Sequence, residues 1–86
     1  MPYPYQVWLR QPCLDYLGTL KVTERKRLLA WLEALGSGFT REGDFAICGT
    51  DGREWQVAIL GLHAAVWWID HAACLVKVVA LRPADR

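Results

Sequence analysis

The order of hydrophobic and polar residues first predicts a strand and then two helices. Residues 5–10 alternate with a period of two and contain β-favouring side chains, as a strand does. Leucines then recur at helical spacing, which predicts a short helix over residues 13–20 that begins near Pro12. A second helix is expected from its N-cap Thr23 to the glycine-rich residues 36–38. Its buried face is predicted to carry Leu28, Leu29, Leu32 and Leu35.

The second half of the chain predicts an antiparallel sheet. Residues 39–43 suit a loop, and residues 49–52 form a strong turn signal. Around them lie four β-rich segments, over residues 44–48, 55–60, 64–69 and 75–81. The short connections between these segments force neighbouring strands to be antiparallel. We therefore predict a single two-layer α+β domain over residues 1–86, in which an antiparallel sheet packs on a helical hairpin in the order β-α-α-β-β-β-β.

Both faces of the predicted sheet are apolar, so the two helices can cover only one of them. A two-residue hairpin loop at 61–62 places Val57 opposite Val66 and thereby sorts the side chains between the faces. The face assigned to the helices contains Gln56, Ala58, Leu60, Ala65, Trp67, Ile69, Val76, Val78 and Ala80. The face expected to stay open contains Trp55, Val57, Ile59, Ala64, Val66, Trp68, Leu75, Lys77 and Val79. An open apolar face of this kind usually marks an interface.

We expect six residues of the open face to form a partner-binding surface, which we call the tryptophan patch. They are Trp55, Val57, Val66, Trp68 and Val79, with Lys77 at the edge. Without a partner, this patch should make the chain self-associate. Trp8 together with the patch would also suit base stacking beside a cation, but an apolar protein partner explains the tryptophans better.

The composition narrows the classes of function. Hydrophobic residues make up 53% of the 86 residues and charged residues 22%, which favours a packed core over a disordered tail. The formal net charge is only +1, so we do not expect direct binding to nucleic acid. No segment approaches the roughly 18 to 20 apolar residues of a membrane span, and residues 1–5 lack the features of a signal peptide. We therefore expect a cytoplasmic protein that does not contact membranes.

No pattern in the sequence predicts a metal or a cofactor. Cys13, Cys48 and Cys74 form an odd set without a CxxC spacing, so we expect three small buried side chains rather than disulfides. His71 and Cys74 have a spacing that zinc can use, but no second ligand pair accompanies them. The glycines fit neither a P-loop nor a dinucleotide-binding fingerprint.

Motifs along nearly the whole chain match those of a known family. They are the strand that opens with Tyr-Gln-Val at 5–7, the Gly-Arg-Glu-Trp-Gln-Val segment at 52–57, the aromatic strand at 63–70 and the last strand with its terminal Arg82. With the helical hairpin between them, the chain resembles the RelE/ParE toxin superfamily of bacterial type II toxin–antitoxin systems. The resemblance implies a RelE-like fold in which the first strand lies beside the last. It also implies a toxin-like protein that belongs to a plasmid-stabilisation module. The partners of this protein would be an antitoxin and a cellular target such as gyrase or the ribosome.

The resemblance does not extend to the usual catalytic residues. RelE-type members cut mRNA on the ribosome, which requires cations near the phosphate and an acid or base for the 2′-hydroxyl. Here Ala64 stands where the family's strand usually has Arg, and Gln56 and Ala58 stand where such enzymes carry Lys or Arg. No Tyr or His follows Arg82. The weak candidates for catalytic cations are Arg53, Lys77, Arg82 and Arg86.

We therefore predict that the chain has no catalytic residues and acts by binding proteins. One alternative is a ribosome-dependent mRNA endoribonuclease that uses an unusual set of cations. The other is a non-toxic interaction or dimerisation domain on the same fold. Growth arrest on induced expression would separate a toxin from an inert domain, and mapping of mRNA cuts would identify a nuclease.

Overall fold

A computed structural model describes residues 5–37 and 43–84. Its elements, in chain order, are β1 (Gln6–Leu9), α1 (Gln11–Gly18), α2 (Val22–Ser37), β2 (Phe45–Cys48), β3 (Glu54–Leu60), β4 (His63–Asp70) and β5 (Leu75–Pro83). This is the predicted α+β element order. The predicted loop at 39–43 lies outside the described residues, apart from Gly43. Neither described helix is long and apolar enough to cross a membrane.

The described strands form one sheet in the order β1-β5-β4-β3-β2. Strands β2 to β5 are an antiparallel meander, and Val57 lies opposite Val66 as predicted. Strand β1 lies beside β5, as the family resemblance implies, but runs parallel to it. The sheet is therefore mixed rather than wholly antiparallel. Because the chain between β1 and β5 contains both helices and three strands, no hairpin dictates the direction of β1.

Helix α2 begins two residues earlier than predicted, with Lys21 rather than Thr23 at the cap position. The Arg25 N–H donates to the Lys21 carbonyl oxygen at 2.8 Å, so the first helical hydrogen bond already involves Lys21. Thr23 therefore lies inside the first turn and is not the N-cap. The Arg25 side chain also donates to the carbonyl oxygens of Leu17 and Leu20, which end α1 and the connection after it. The two helices are thus joined by backbone acceptors that no sequence pattern marks.

The helices cover one face of the sheet, and the core lies between the two layers. Its buried members are Cys13, Leu17, Leu28, Leu32, Leu35, Ala58, Ala65, Trp67, Val76, Val78 and Leu81. Trp67 is fully buried and meets Trp31 of α2 edge to face, with ring centroids 5.5 Å apart. This is the face that the sequence assigns to the helices.

A β-bulge in β5 alters that assignment at one residue. Trp67 pairs with Val78 but the preceding Val66 pairs with Ala80, which leaves Val79 as the extra residue. Ala80 therefore lies on the open face beside Val66, whereas a strict period of two predicts it under the helices. The residue after it, Leu81, then points into the core.

A buried histidine fastens the β3–β4 hairpin to both helices. His63 lies next to the hairpin loop, and its Nε2 is 2.7 Å from Oε1 of Glu24 in α2. Since a carboxylate only accepts, Nε2–H donates and Nδ1 can accept from the Tyr16 hydroxyl of α1, which is also 2.7 Å away. Both ring nitrogens of the buried His63 therefore have a hydrogen-bond partner.

The three cysteines are free thiols, but only one of them is buried. Cys13 lies in the core, where burial raises the pKa of its thiol. Cys48 ends the edge strand β2 and Cys74 lies in the β4–β5 turn, and both are exposed. The prediction of three buried side chains is therefore wrong for Cys48 and Cys74, because one ends an edge strand and the other lies in a turn, outside the area that the helices cover. Across the described ranges, no group of three metal-ligating side chains comes together.

Candidate partner-binding face

The structure brings the six predicted residues of the tryptophan patch onto the sheet face opposite the helices. Val57 of β3 pairs with Val66 of β4, and Trp68 of β4 pairs with Lys77 of β5. Trp55, Trp68, Lys77 and Val79 line a common open cavity. The patch is therefore contiguous across the three central strands.

The middle of this face is closed while its margins are accessible. Val57 and Val66 are buried, although neither belongs to the core under the helices. Trp55 and Trp68 are half-buried around them. A partner would thus meet indole rings, with the two valines as a floor beneath them. This is a change from the predicted role of the valines, which were expected to take part directly in the contact.

Trp8 is the main residue of this face that lies outside the predicted patch. It is 59% exposed and pairs with Lys77 in the parallel β1–β5 ladder. Its period-two position marks it as a strand residue, but only the register with β5 brings it beside Lys77. No local sequence signal specifies that long-range pairing.

Cations and indole rings alternate across strands β1, β5 and β4 and the residue that precedes β3. The Lys77 ammonium lies between two indoles, 5.8 Å from the ring centroid of Trp8 and 5.0 Å from that of Trp68. On the other side of Trp68, the Arg53 guanidinium carbon is 4.1 Å from the ring centroid. These distances are within the range of cation–π attraction. Trp68 thus has two cations close to its ring.

Each cation of this row also has a carboxylate partner. Lys77 Nζ is 3.6 Å from Oδ2 of Asp70, and Arg53 Nη1 is 3.1 Å from Oδ2 of Asp51. The backbone N–H of Arg53 donates to Asp51 as well, and it holds the pKa of that carboxyl below its usual value. The positive charges are therefore matched by negative ones, which weakens the face as a phosphate-binding surface.

A cavity of about 580 Å³ opens between the tryptophans. Trp8, Trp55 and Trp68 line it, together with Lys77 and Arg10. Gly49 packs against the indole of Trp55 so closely that no side chain would fit at residue 49. Among the described residues, Trp55 Nε1 is a buried donor without a hydrogen-bond partner. Close packing against Gly49 thus leaves Trp55 only partly accessible on the open face.

The candidate catalytic cations do not come together as a group. Arg53 and Lys77 flank Trp68, whereas Arg82 pairs with Ala64. Trp68 lies four residues along strand β4 from Ala64, which is about 13 Å at roughly 3.3 Å per residue. Arg86 lies outside the described residues.

A smaller cavity near the β4–β5 turn is lined by basic, acidic and aromatic side chains. It measures about 380 Å³, and Arg53, Glu54, Trp68 and His71 are among its lining residues. His71 Nδ1 is 3.0 Å from the Tyr5 hydroxyl. A cation, a carboxylate and an imidazole are thus near one another, although sequence spacing does not group them.

No protein-family model and no curated protein sequence matches the chain. Solved structures that are similar over nearly its whole length include the following two. A chain of the crystal structure of the archaeal RelE–RelB complex from Pyrococcus horikoshii OT3 is 22% identical, with a TM-score of 0.78, over 96% of this chain and 98% of that one. A chain of the toxin–antitoxin complex RelBE2 from Mycobacterium tuberculosis is 15% identical, with a TM-score of 0.79, over 100% and 98%. The fold is therefore RelE-like.

Proposed function

We propose that this RelE-like chain is the toxin-like component of a bacterial type II toxin–antitoxin system and acts by binding proteins. Its first partner would be an antitoxin, since both similar structures are complexes of that kind. Its second would be a cellular target such as gyrase or the ribosome. The observation that carries the proposal is the row of Trp8, Trp55 and Trp68 on the face that the chain's own helices leave uncovered.

The energetics of this face suit a protein partner. Indole rings are large and rigid, and covering the accessible part of one is worth about 1–2 kcal/mol at roughly 25 cal/mol per Å². Tryptophans near the centre of an interface are often its hot spots. Three of them around one cavity would therefore anchor an apolar segment. Without a partner, we expect the same rings to drive self-association of the chain.

The charges favour a protein over RNA as the ligand of this face. Binding to a single strand requires several unpaired cations along a groove in addition to stacked rings. Lys77 and Arg53 each have a carboxylate within 4 Å, and the whole chain has a net charge of +1. We accordingly expect no intrinsic ribonuclease activity. Its free thiols fit the proposed cytoplasmic location.

Growth on induced expression tests the proposal. The chain alone should arrest bacterial growth. We expect a small antitoxin reading frame next to its gene, and co-expression of that frame should restore growth. The product of that frame should co-purify with the chain. If expression of the chain alone does not arrest growth even at high induction, the chain is an inert interaction domain. If the neighbouring product neither restores growth nor co-purifies, the assignment to a toxin–antitoxin pair is wrong.

A second candidate function is ribosome-dependent mRNA cleavage. The smaller cavity favours it, because Arg53, Glu54 and His71 there could supply a cation and an acid–base group. Primer extension on cellular mRNA after induction distinguishes the two functions. Specific cuts that fall at least about 100-fold in Arg53→Ala or His71→Ala would establish cleavage. We expect no such cuts.

A further inference from the structure

The hydrogen bonds of His63 bring three ionisable side chains together on the helix side of the sheet. Glu24 of α2 accepts from Nε2–H, and the Tyr16 hydroxyl of α1 donates to Nδ1, each over 2.7 Å. His63 begins β4, so three different elements each contribute one member. None of the three is among the residues that line the cavity between the tryptophans. We call Tyr16, His63 and Glu24 the tyrosine triad.

The order of these groups is that of an activated nucleophile. In such sites a hydroxyl lies within hydrogen-bond distance of a base, and a third group orients the base. Tyr16 carries the hydroxyl and Nδ1 of His63 is the base. The Glu24 carboxylate accepts from Nε2–H, which selects the tautomer that leaves Nδ1 without a proton. The same carboxylate stabilises the imidazolium that forms when His63 takes a proton.

A second tyrosine–histidine pair shows what distinguishes the first. Tyr5 and His71 also meet edge to face, with Nδ1 3.0 Å from the hydroxyl oxygen and the ring centroids 5.8 Å apart. His71 is exposed, and no carboxylate in the described part of the chain contacts its ring nitrogens. His63 is buried and has such a carboxylate. Only the Tyr16 pair therefore has a base that is both shielded from water and oriented by a third group.

An opening beside Tyr16 and His63 gives small molecules access to the triad. It is a cavity of about 540 Å³. Its other described walls are small or apolar residues, namely Gly61, Leu62, Pro83 and Ala84. A phosphoryl group would need cations at such a site, and no described cation lines this cavity. The walls favour an uncharged acyl group instead.

We propose that Tyr16 is an acyl-accepting nucleophile, activated by His63 and Glu24, that reacts with activated esters. The phenolic oxygen attacks the ester carbonyl carbon while its proton passes to Nδ1 of His63. The bond between that carbon and the leaving oxygen then breaks, and the leaving alcohol or phenol takes the proton from His63. The products are an acyl-tyrosine and the free alcohol or phenol. The proposal is independent of the proposed function, because the triad does not lie on the open face.

Acetylation by p-nitrophenyl acetate tests this assignment. The wild-type chain should release p-nitrophenolate and gain an acetyl group on Tyr16, which peptide mapping by mass spectrometry locates. Tyr16 should react at least about tenfold faster than Tyr5, because an orienting carboxylate contributes more than that to a triad. Mapping counts acetyl groups on Cys48, Cys74 and amines separately. Equal rates at the two tyrosines would overturn the proposal.

Two conservative variants identify the nucleophile. Tyr16→Phe keeps the ring and removes the hydroxyl, so the release of p-nitrophenolate assigned to Tyr16 should disappear. Tyr5→Phe is the matched control and should leave acetylation of Tyr16 as in the wild type. Circular dichroism melts establish that both variants are folded. If Tyr16→Phe releases p-nitrophenolate as fast as the wild type, another group is the nucleophile and the proposal is wrong. If a variant does not fold, the ratio of the two tyrosines in the wild-type chain decides.

Glu24→Gln tests the positioning role of the carboxylate. The variant keeps the length of the side chain but removes the charge that stabilises the imidazolium. The maximal rate of Tyr16 acetylation should fall at least about tenfold, while the half-saturating concentration of the ester stays the same. An unchanged maximal rate would contradict the triad. So would a change confined to the half-saturating concentration, because Glu24 would then only shape the opening.

Discussion

At the scale of single residues, two adjacent tryptophans have opposite roles because a strand alternates its side chains between faces. Trp67 is fully buried between the sheet and the helices, whereas Trp68 is half-buried on the open face between Lys77 and Arg53. The first stabilises the fold, and the second is available to a partner. The residue type therefore does not distinguish the two roles. The face of β4 on which each tryptophan lies does.

Serine substitutions at the two positions should separate stability from association. Trp67→Ser should lower the free energy of unfolding by about 3–5 kcal/mol, out of a total of roughly 5–15 kcal/mol. At about 4–8 °C per kcal/mol, its melting temperature should fall by about 12 °C or more. Trp68→Ser should melt near the wild type but self-associate less in sedimentation experiments. If Trp68→Ser is the unfolded variant and Trp67→Ser the tolerated one, the faces have been assigned the wrong way round.

At the scale of elements, the contact between α2 and β1 depends on a helical glycine. Gly36 lies in the last turn of α2, and the Tyr5 carbonyl group occupies the place where a Cβ would project. The helix ends at Ser37, within the glycine-rich segment that predicts its end, and Gly36 itself is still helical. The residue is small because the backbone of the N-terminal strand passes against it.

Alanine substitutions at two helical glycines test this contact. Alanine normally stabilises a helix relative to glycine by up to about 1 kcal/mol. Gly36→Ala should instead destabilise the protein by about 1–3 kcal/mol, because the backbone of Tyr5 must move. Gly18→Ala is the matched control, since nothing lies within 4 Å of the added Cβ. Urea unfolding of both variants provides the measurement, and equal stability of the two would contradict the described packing.

Local patterns predict local elements well and long-range geometry poorly. The two-residue loop and period-two strands place Val57 opposite Val66, because hairpin register is set within a few residues. The parallel direction of β1 and the position of Trp8 beside Lys77 depend on a pairing across most of the chain. The bulge that moves Ala80 to the open face leaves no trace in hydrophobic alternation, since both neighbouring residues are apolar.

At the scale of the whole molecule, the two faces of the sheet have different roles. The helices and the His63 hydrogen bonds stabilise one face of the sheet, and the other carries the tryptophans over a floor of buried valines. Of the candidate cations, Arg53 and Lys77 are each held by a carboxylate and an indole ring, and Arg82 lies apart from them. The tryptophans are gathered on one face, whereas the candidate cations are dispersed. The molecule therefore has an evident binding face but no evident catalytic centre among these cations. This arrangement also makes the tryptophans the residues on which the proposed function depends.

The affinity of the tryptophan face for the neighbouring gene product is the most direct test of that dependence. Trp68→Ser and Trp8→Ser should each weaken binding by roughly tenfold or more in titration calorimetry, as expected when an interface loses a buried aromatic anchor. Leu62→Ser is the control, because Leu62 is 77% exposed but lies in the β3–β4 loop, where it lines a groove together with residues of α2. It should bind within about twofold of the wild type. Unchanged affinity in both tryptophan variants, or a loss confined to Leu62→Ser, would contradict the assignment of the open face as the binding surface.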